Sequence, residues 1–298
     1  MRTGVVILPE KRWARSARLW QTVDELGYDS AWTYDHLSWR SLQDEAWFST
    51  FPVLAAAAVV TRRMTLGTMV TSPNFRHPVT AAKDAIALDD ISGGRFVLGI
   101  GAGSVGAGDS HVLTQEDLKP GERAARFAEF VKLTDRLLRS DVTTFTGKHF
   151  SAYEARMIPG CVQQPRLPLA IAAAGTRGID LAARHGQAWV TTGPKNWAKG
   201  FTPEECLDAV TAQVAALRHA CSRHGRKFGE MDRIFVVTPS AGDFLSSSSA
   251  FLAQAERYAK AGITHLVLHA PREHGIYTAD PDILHRIADE ALPEVRHL

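Results

Sequence analysis

The chain has 298 residues, 45% of them apolar and 22% charged, with 34 basic side chains against 32 acidic ones and a net charge of +2. This is the composition of a soluble globular protein with ample material for a core, and without a long like-charge run it gives no electrostatic support to a nucleic-acid or membrane-surface role. Cys161, Cys206 and Cys221 form neither a C-x-x-C pair nor a zinc spacing, so they read as reduced thiols of a cytoplasmic protein. The N-terminal apolar run is too short for a signal peptide, and the longest run, "VLAAAAVV", falls well under the roughly 20 residues of a membrane span.

Strand-like and helix-like segments alternate. "GVVIL" (4–8) is short, apolar and β-branched and predicts a buried strand. Trp13, Ala17, Trp20, Val23 and Leu26 then recur at three- and four-residue steps up to Gly27, the pattern of an amphipathic helix with a glycine stop. A second strand is predicted over 30–34, a mostly apolar helix over 50–61 and a third strand over 64–72. A helix with proline in its first turn follows over 77–94, then a fourth strand over 95–103 and a helix over 121–138. After a hairpin-like excursion, "VTTFTGKHFSA", the alternation resumes with strands at 168–175, 187–193, 232–239 and 264–271, each followed by a helix. Eight strand–helix pairs, with nearly continuous apolar strands, predict a (β/α)8 TIM barrel. One domain over residues 1–298 is expected, with a short insertion near 142–166.

Gly101-Ala-Gly103-Ser-Val-Gly106 spells G-x-G-x-x-G, a dinucleotide-binding fingerprint. That reading needs a helix opening directly after the glycines and an acidic residue about 20 positions on, at the end of the next strand. Here a long loop follows and no such strand exists. A serine-hydrolase elbow fails for the same lack of an immediate helix. In a barrel these glycines close the fourth strand at the active-site face, where they let a flat or phosphorylated ligand approach the backbone.

"YDHLSW" after the second strand, "LGTMVTSPNFRHP" at the third and "SGGRFVLGIGAG" at the fourth resemble the bacterial luciferase-like superfamily. "IAAAGTRGIDLAARHGQAWVTTG" and "GITHLVLHAP" continue the resemblance. It implies a barrel that binds FMN or the deazaflavin coenzyme F420 at its C-terminal face. The Asp-His pair with a nearby Trp is most similar to the F420-dependent dehydrogenases and reductases, including the glucose-6-phosphate type.

The resemblance makes His36 the catalytic acid–base, since hydride transfer at a carbonyl or alcohol carbon needs a proton moved at the oxygen and imidazole titrates in the right range. Asp35 is expected near the cofactor, where it orients that imidazole or caps the next turn; Trp39 walls the substrate or the cofactor ring, or is a plain core aromatic. The resemblance also implies a non-prolyl cis peptide at Met69–Val70 under the flavin's central ring. It places Gly101, Gly103 and Ser104 along the cofactor chain; the glucose-6-phosphate enzymes carry Glu where Ser104 stands, which puts that substrate in doubt. Gly175, Thr176 and Arg177 open a helix whose free N–H groups suit a phosphate. Lys195 is a candidate for an anionic substrate or a solvated loop lysine. His265 and His269 share a strand face, and His269 is the one expected to line the substrate pocket. No metal site is expected.

The leading expectation is an F420-dependent oxidoreductase acting on a small organic substrate, a cytoplasmic homodimer with no nucleic-acid or membrane partner. An FMN-dependent luciferase-like monooxygenase is the alternative within the class, and a non-catalytic flavin-binding protein the alternative outside it.

Overall fold

The computed structural model describes residues 1–106, 108–113, 117–195 and 199–298. Eight parallel strands close into a barrel. In chain order they are β1 (Arg2–Val6), β2 (Ser30–Thr33), β3 (Thr65–Thr68), β4 (Phe96–Ile100), β7 (Leu169–Ala172), β8 (Ala188–Thr191), β9 (Asp232–Val236) and β10 (His265–His269). Closure runs from β1 to β10, with Arg2 opposite His265 and Val6 opposite His269. The antiparallel hairpin β5 (Val142–Thr146) and β6 (Ser151–Arg156) stands apart from the barrel and fills the segment between the fourth and fifth barrel strands.

The outer ring contains α1 (Trp13–Glu25), α2 (Thr50–Val60), α3 (Pro78–Ile91), α5 (Pro120–Leu137), α6 (Thr176–His185), α7 (Pro203–Arg223), α8 (Ser248–Lys260) and α9 (Ile283–Glu290). A one-turn helix, α4 (Ser110–Leu113), lies in the loop after β4, and α10 (Leu292–Val295) ends the chain.

The apolar strands divide by residue parity, because successive side chains leave a strand on opposite faces. Val5 and Ile7 pack outward with Ala31, Leu66, Phe96 and the helices; Val6 and Leu8 face inward with Trp32, Tyr34, Met69, Val190, Ile234 and Val267. Both faces of each strand are therefore buried, which is why the strands read as unbroken apolar runs rather than as alternation. The three cysteines are buried and free. Among the described residues no helix is long and apolar enough to cross a membrane, and no cluster of His, Cys, Asp and Glu could hold a metal.

Candidate active site

The C-terminal ends of the strands carry the candidate residues. His36 follows β2 by three residues, and its Nδ1 lies 2.6 Å from Asp109 Oδ2. The other oxygen of Asp109 accepts from the Leu37 backbone N–H at 2.8 Å, and the Trp47 indole donates to the His36 carbonyl at 2.9 Å. Asp109 is 1% exposed. It arrives from the loop after β4, which crosses to the β2 loop where Gly108 passes against the Ser38 carbonyl. With a carboxylate on Nδ1, the neutral ring carries its proton there and presents Nε2 as the free acceptor.

Asp35 is not the partner of that imidazole. Its carboxylate is closed by Arg76, which donates from Nε at 2.6 Å and from Nη2 at 2.8 Å, while the guanidinium lies 4.4 Å over the Phe51 ring. The fork uses both carboxylate oxygens, so Asp35 ties the β2 loop to the segment after β3.

Trp39 is 5% exposed and belongs to an aromatic group. Its ring stacks on Trp47 at 6.5 Å and meets Tyr34 at 5.4 Å and Tyr277 at 6.2 Å. His269, expected in the substrate wall, lies behind two tyrosines. Tyr277 stacks flat on it at 3.6 Å, and the Tyr34 hydroxyl lies 2.7 Å from its Nε2. Burial lowers the pKa of His269 from 6.5 to about 3 against a raising hydrogen bond with Val237, so the ring is neutral. Burial likewise holds the Tyr34 hydroxyl protonated. His265 sits one layer deeper against Ser30 Oγ at 2.9 Å, and burial lowers its pKa to about 3 as well.

The Met69–Val70 peptide is cis. Val70 reaches the glycine loop: a Cβ on Gly101 would meet Val70 Cγ2 at 2.5 Å. Gly103 has φ +79°, and its Cβ would run into the Asn74 amide at 2.5 Å. That amide donates to the Ser104 carbonyl at 2.9 Å and accepts from Arg126 at 2.5 Å. Asn74 is thus the brace of the glycine loop, a role the sequence did not reveal.

From this loop a cleft of about 1250 Å³ runs along the ends of β4, β7 and β8. It brings together Gly103, Ser104, Gly175, Thr176 and Lys195, and it reaches Arg40 at one end. Its walls are small where a planar ligand would lie, at Ala102, Ala172, Ala173 and Ala174. α6 starts at Gly175 with no capping side chain and no acid in its first turn, so its N–H groups and dipole face the cleft uncompensated. Arg123, Arg177 and Arg184 line the same cleft. Lys195 bends over this helix start: its Nζ is 3.3 Å from where a Gly175 Cβ would be. That places it with the candidate phosphate site.

A closed eight-stranded barrel with a histidine at the end of its second strand and a long cationic cleft at its C-terminal face defines an α/β-barrel enzyme with a cofactor-sized site. The chain belongs to the luciferase-like monooxygenase family, whose model matches residues 1–291. It is 33% identical over 223 residues to the 4-hydroxyprotoasukamycin monooxygenase of Streptomyces nodosus subsp. asukaensis, covering 73% of this chain and 56% of that protein. It is 30% identical over 279 residues to the F420-dependent glucose-6-phosphate dehydrogenase of Intrasporangium calvum, covering 91% of this chain and 75% of that one. This chain therefore spans little more than half the length of the first relative. In fold it is similar to an F420-dependent secondary alcohol dehydrogenase solved with an F420–acetone adduct, with a TM-score of 0.82, 19% identity and 99% of each chain covered.

Proposed function

We propose that this protein is a coenzyme F420-dependent oxidoreductase that moves a hydride between the deazaflavin and a small organic alcohol or carbonyl compound. The observation that carries the reading is the pairing of two features on the loop after β2: His36, held by a buried carboxylate, and, four residues on, Arg40, which lines a cationic cleft. F420 fits the residues present. Its flat ring suits the alanine- and glycine-lined stretch beside Val70 and Gly101. Its phosphate suits Gly175, Thr176 and Lys195, and the acidic tail beyond suits Arg123, Arg177 and Arg184. Bound there, the deazaflavin supplies hydride chemistry; the chain supplies orientation and protons. His36 Nε2 takes the proton from a substrate hydroxyl during oxidation or returns it during reduction. Trp39 and Trp47 shield that oxygen from bulk water.

The FMN-dependent monooxygenase is kept as a second reading because a monooxygenase is among the similar proteins. Titration with F420 and with FMN, followed by fluorescence, separates the two. Saturable F420 binding and weak FMN binding support the proposal; tight FMN binding without F420 binding overturns it. We further take the protein to be a cytoplasmic homodimer, and sedimentation tests the dimer.

A further inference from the structure

The surroundings of His36 are poor in available positive charge. Arg76 is spent on Asp35. Arg272 is 6% exposed and is held by Glu10 at 2.8 Å and Glu45 at 2.5 Å, with the His274 carbonyl taking a further hydrogen bond. It pins together the loops that follow β1, β2 and β10 and points its guanidinium at their carboxylates. Arg40 lies over the Trp39 ring at 5.9 Å. Asp35 and Asp84 face Arg76, Glu10 and Glu45 face Arg272, and Asp109 faces His36. His269 is neutral behind Tyr277, and Lys195 stands over Gly175 in the cleft. Among the described residues here the carboxylates outnumber the guanidinium groups paired with them, so a dianionic phosphate would meet acidic surroundings.

What is available is apolar. Trp39, Tyr34, Trp47 and Tyr277 pack with Leu8, Leu42 and Met69 in one cluster. Around it, large side chains stand open to solvent: Leu37 is 40% exposed, Phe48 37%, and Val112 and Leu113 59% each. Each belongs to a segment tied to His36: Leu37 follows it, Phe48 follows the tryptophan that holds its carbonyl, and α4 begins at the residue after Asp109. Leaving such area in water costs about 25 cal/mol per Å², and several exposed large side chains on loops tied to one histidine suit an apolar ligand there.

We propose that the substrate is an uncharged, largely apolar alcohol or ketone, and that the site discriminates against sugar phosphates. This inference rests on the F420-dependent reading. In the reducing direction one hydride from the reduced deazaflavin goes to the carbonyl carbon. The C=O π bond breaks, and the oxygen takes the proton held by His36. Oxidation is the reverse. Trp39 and Tyr277 set the preference by contact with the carbon skeleton.

The test reads binding by calorimetry, with 2-acetylnaphthalene on protein loaded with oxidised F420 and with glucose 6-phosphate on protein loaded with reduced F420, so that neither compound turns over. The ketone is expected to bind at least about tenfold more tightly than the sugar phosphate. Leu37→Glu and Val112→Glu, both at exposed positions, are expected to weaken the ketone at least about fivefold while leaving F420 affinity unchanged. Equal or tighter binding of glucose 6-phosphate, or no ketone binding, overturns the inference and leaves the F420 reading standing. Ketone binding that both variants leave untouched overturns the apolar rim as its basis. Failure to load F420 at all removes the F420 reading, and this inference with it.

Discussion

His36 and Asp109, 73 positions apart in the chain, are joined at 2.6 Å across the mouth of the barrel. The contact links the loop after the second strand to the loop after the fourth, and it puts the proton of the neutral ring on Nδ1 and leaves Nε2 as the acceptor. Asp109→Asn keeps the shape but lets an amide N–H point at Nδ1, which moves the ring proton to Nε2. The expected result is a change of His36 tautomer in the nitrogen NMR spectrum of the cofactor-free protein, with kcat falling about 100-fold or more. F420 affinity should change little. An unchanged tautomer would reduce Asp109 to a loop anchor.

Removing the ring itself should cost the proton transfer. His36→Ala is expected to lower kcat by about 100-fold or more, the usual contribution of a positioned acid–base, with little effect on F420 affinity. Turnover near the wild-type rate would take the proton role away from His36.

The barrel was legible because its signal is periodic: short apolar runs alternating with helical spacing occur eight times, and the family motifs fall at strand ends. The partners of the site residues were not, because they come from loops, which carry no period. Asp35 shows how a sequence neighbour misleads. Tyr34 faces into the barrel, so the next residue along leaves toward the helices, where Arg76 waits. Asp109 belongs to a different loop, and its approach to His36 exists only in three dimensions. His269 was placed on the right strand face, but Tyr277, from the loop beyond, covers it.

The Asp35–Arg76 fork makes a separate claim about stability. Asp35→Asn takes from Arg76 its buried carboxylate, 1% exposed, and leaves it only Asp84 at 3.9 Å. Breaking such a pair costs about 3 kcal/mol. A urea midpoint lowered accordingly, with F420 affinity retained at a temperature where the variant is folded, is the expected outcome. Lost F420 affinity in a stable variant would return Asp35 to the cofactor site.

At the other end of the cleft, Thr176→Asp puts a carboxylate at the uncapped start of α6, beneath Lys195. Against a bound phosphate this should weaken F420 at least about tenfold, or about 1.4 kcal/mol. The folded protein itself should not suffer, since an acid in the first turn suits the helix dipole. The pair of effects, weaker binding with an unchanged or raised thermal midpoint, separates electrostatic exclusion of an anion from damage to the fold. Unchanged affinity would move the phosphate elsewhere.

Acid stability should report the two buried histidines of β10. His265 and His269 each have an ordinary value of 6.5 that burial lowers to about 3. The unfolded chain therefore binds more protons than the folded one between those values. Stability is fully present above pH 6.5 and is lost as the pH falls toward about 3. Well inside that window each ring contributes a slope of about 1.4 kcal/mol per pH unit. Replacing His265 with Gln keeps an amide within reach of Ser30 and removes one titrating ring. The variant is expected to lose stability less steeply between pH 6 and pH 4 by about that slope, measured as denaturant midpoints across the range. An identical pH dependence in wild type and His265→Gln would show that His265 titrates alike in the folded and unfolded chain and that the acid sensitivity arises elsewhere.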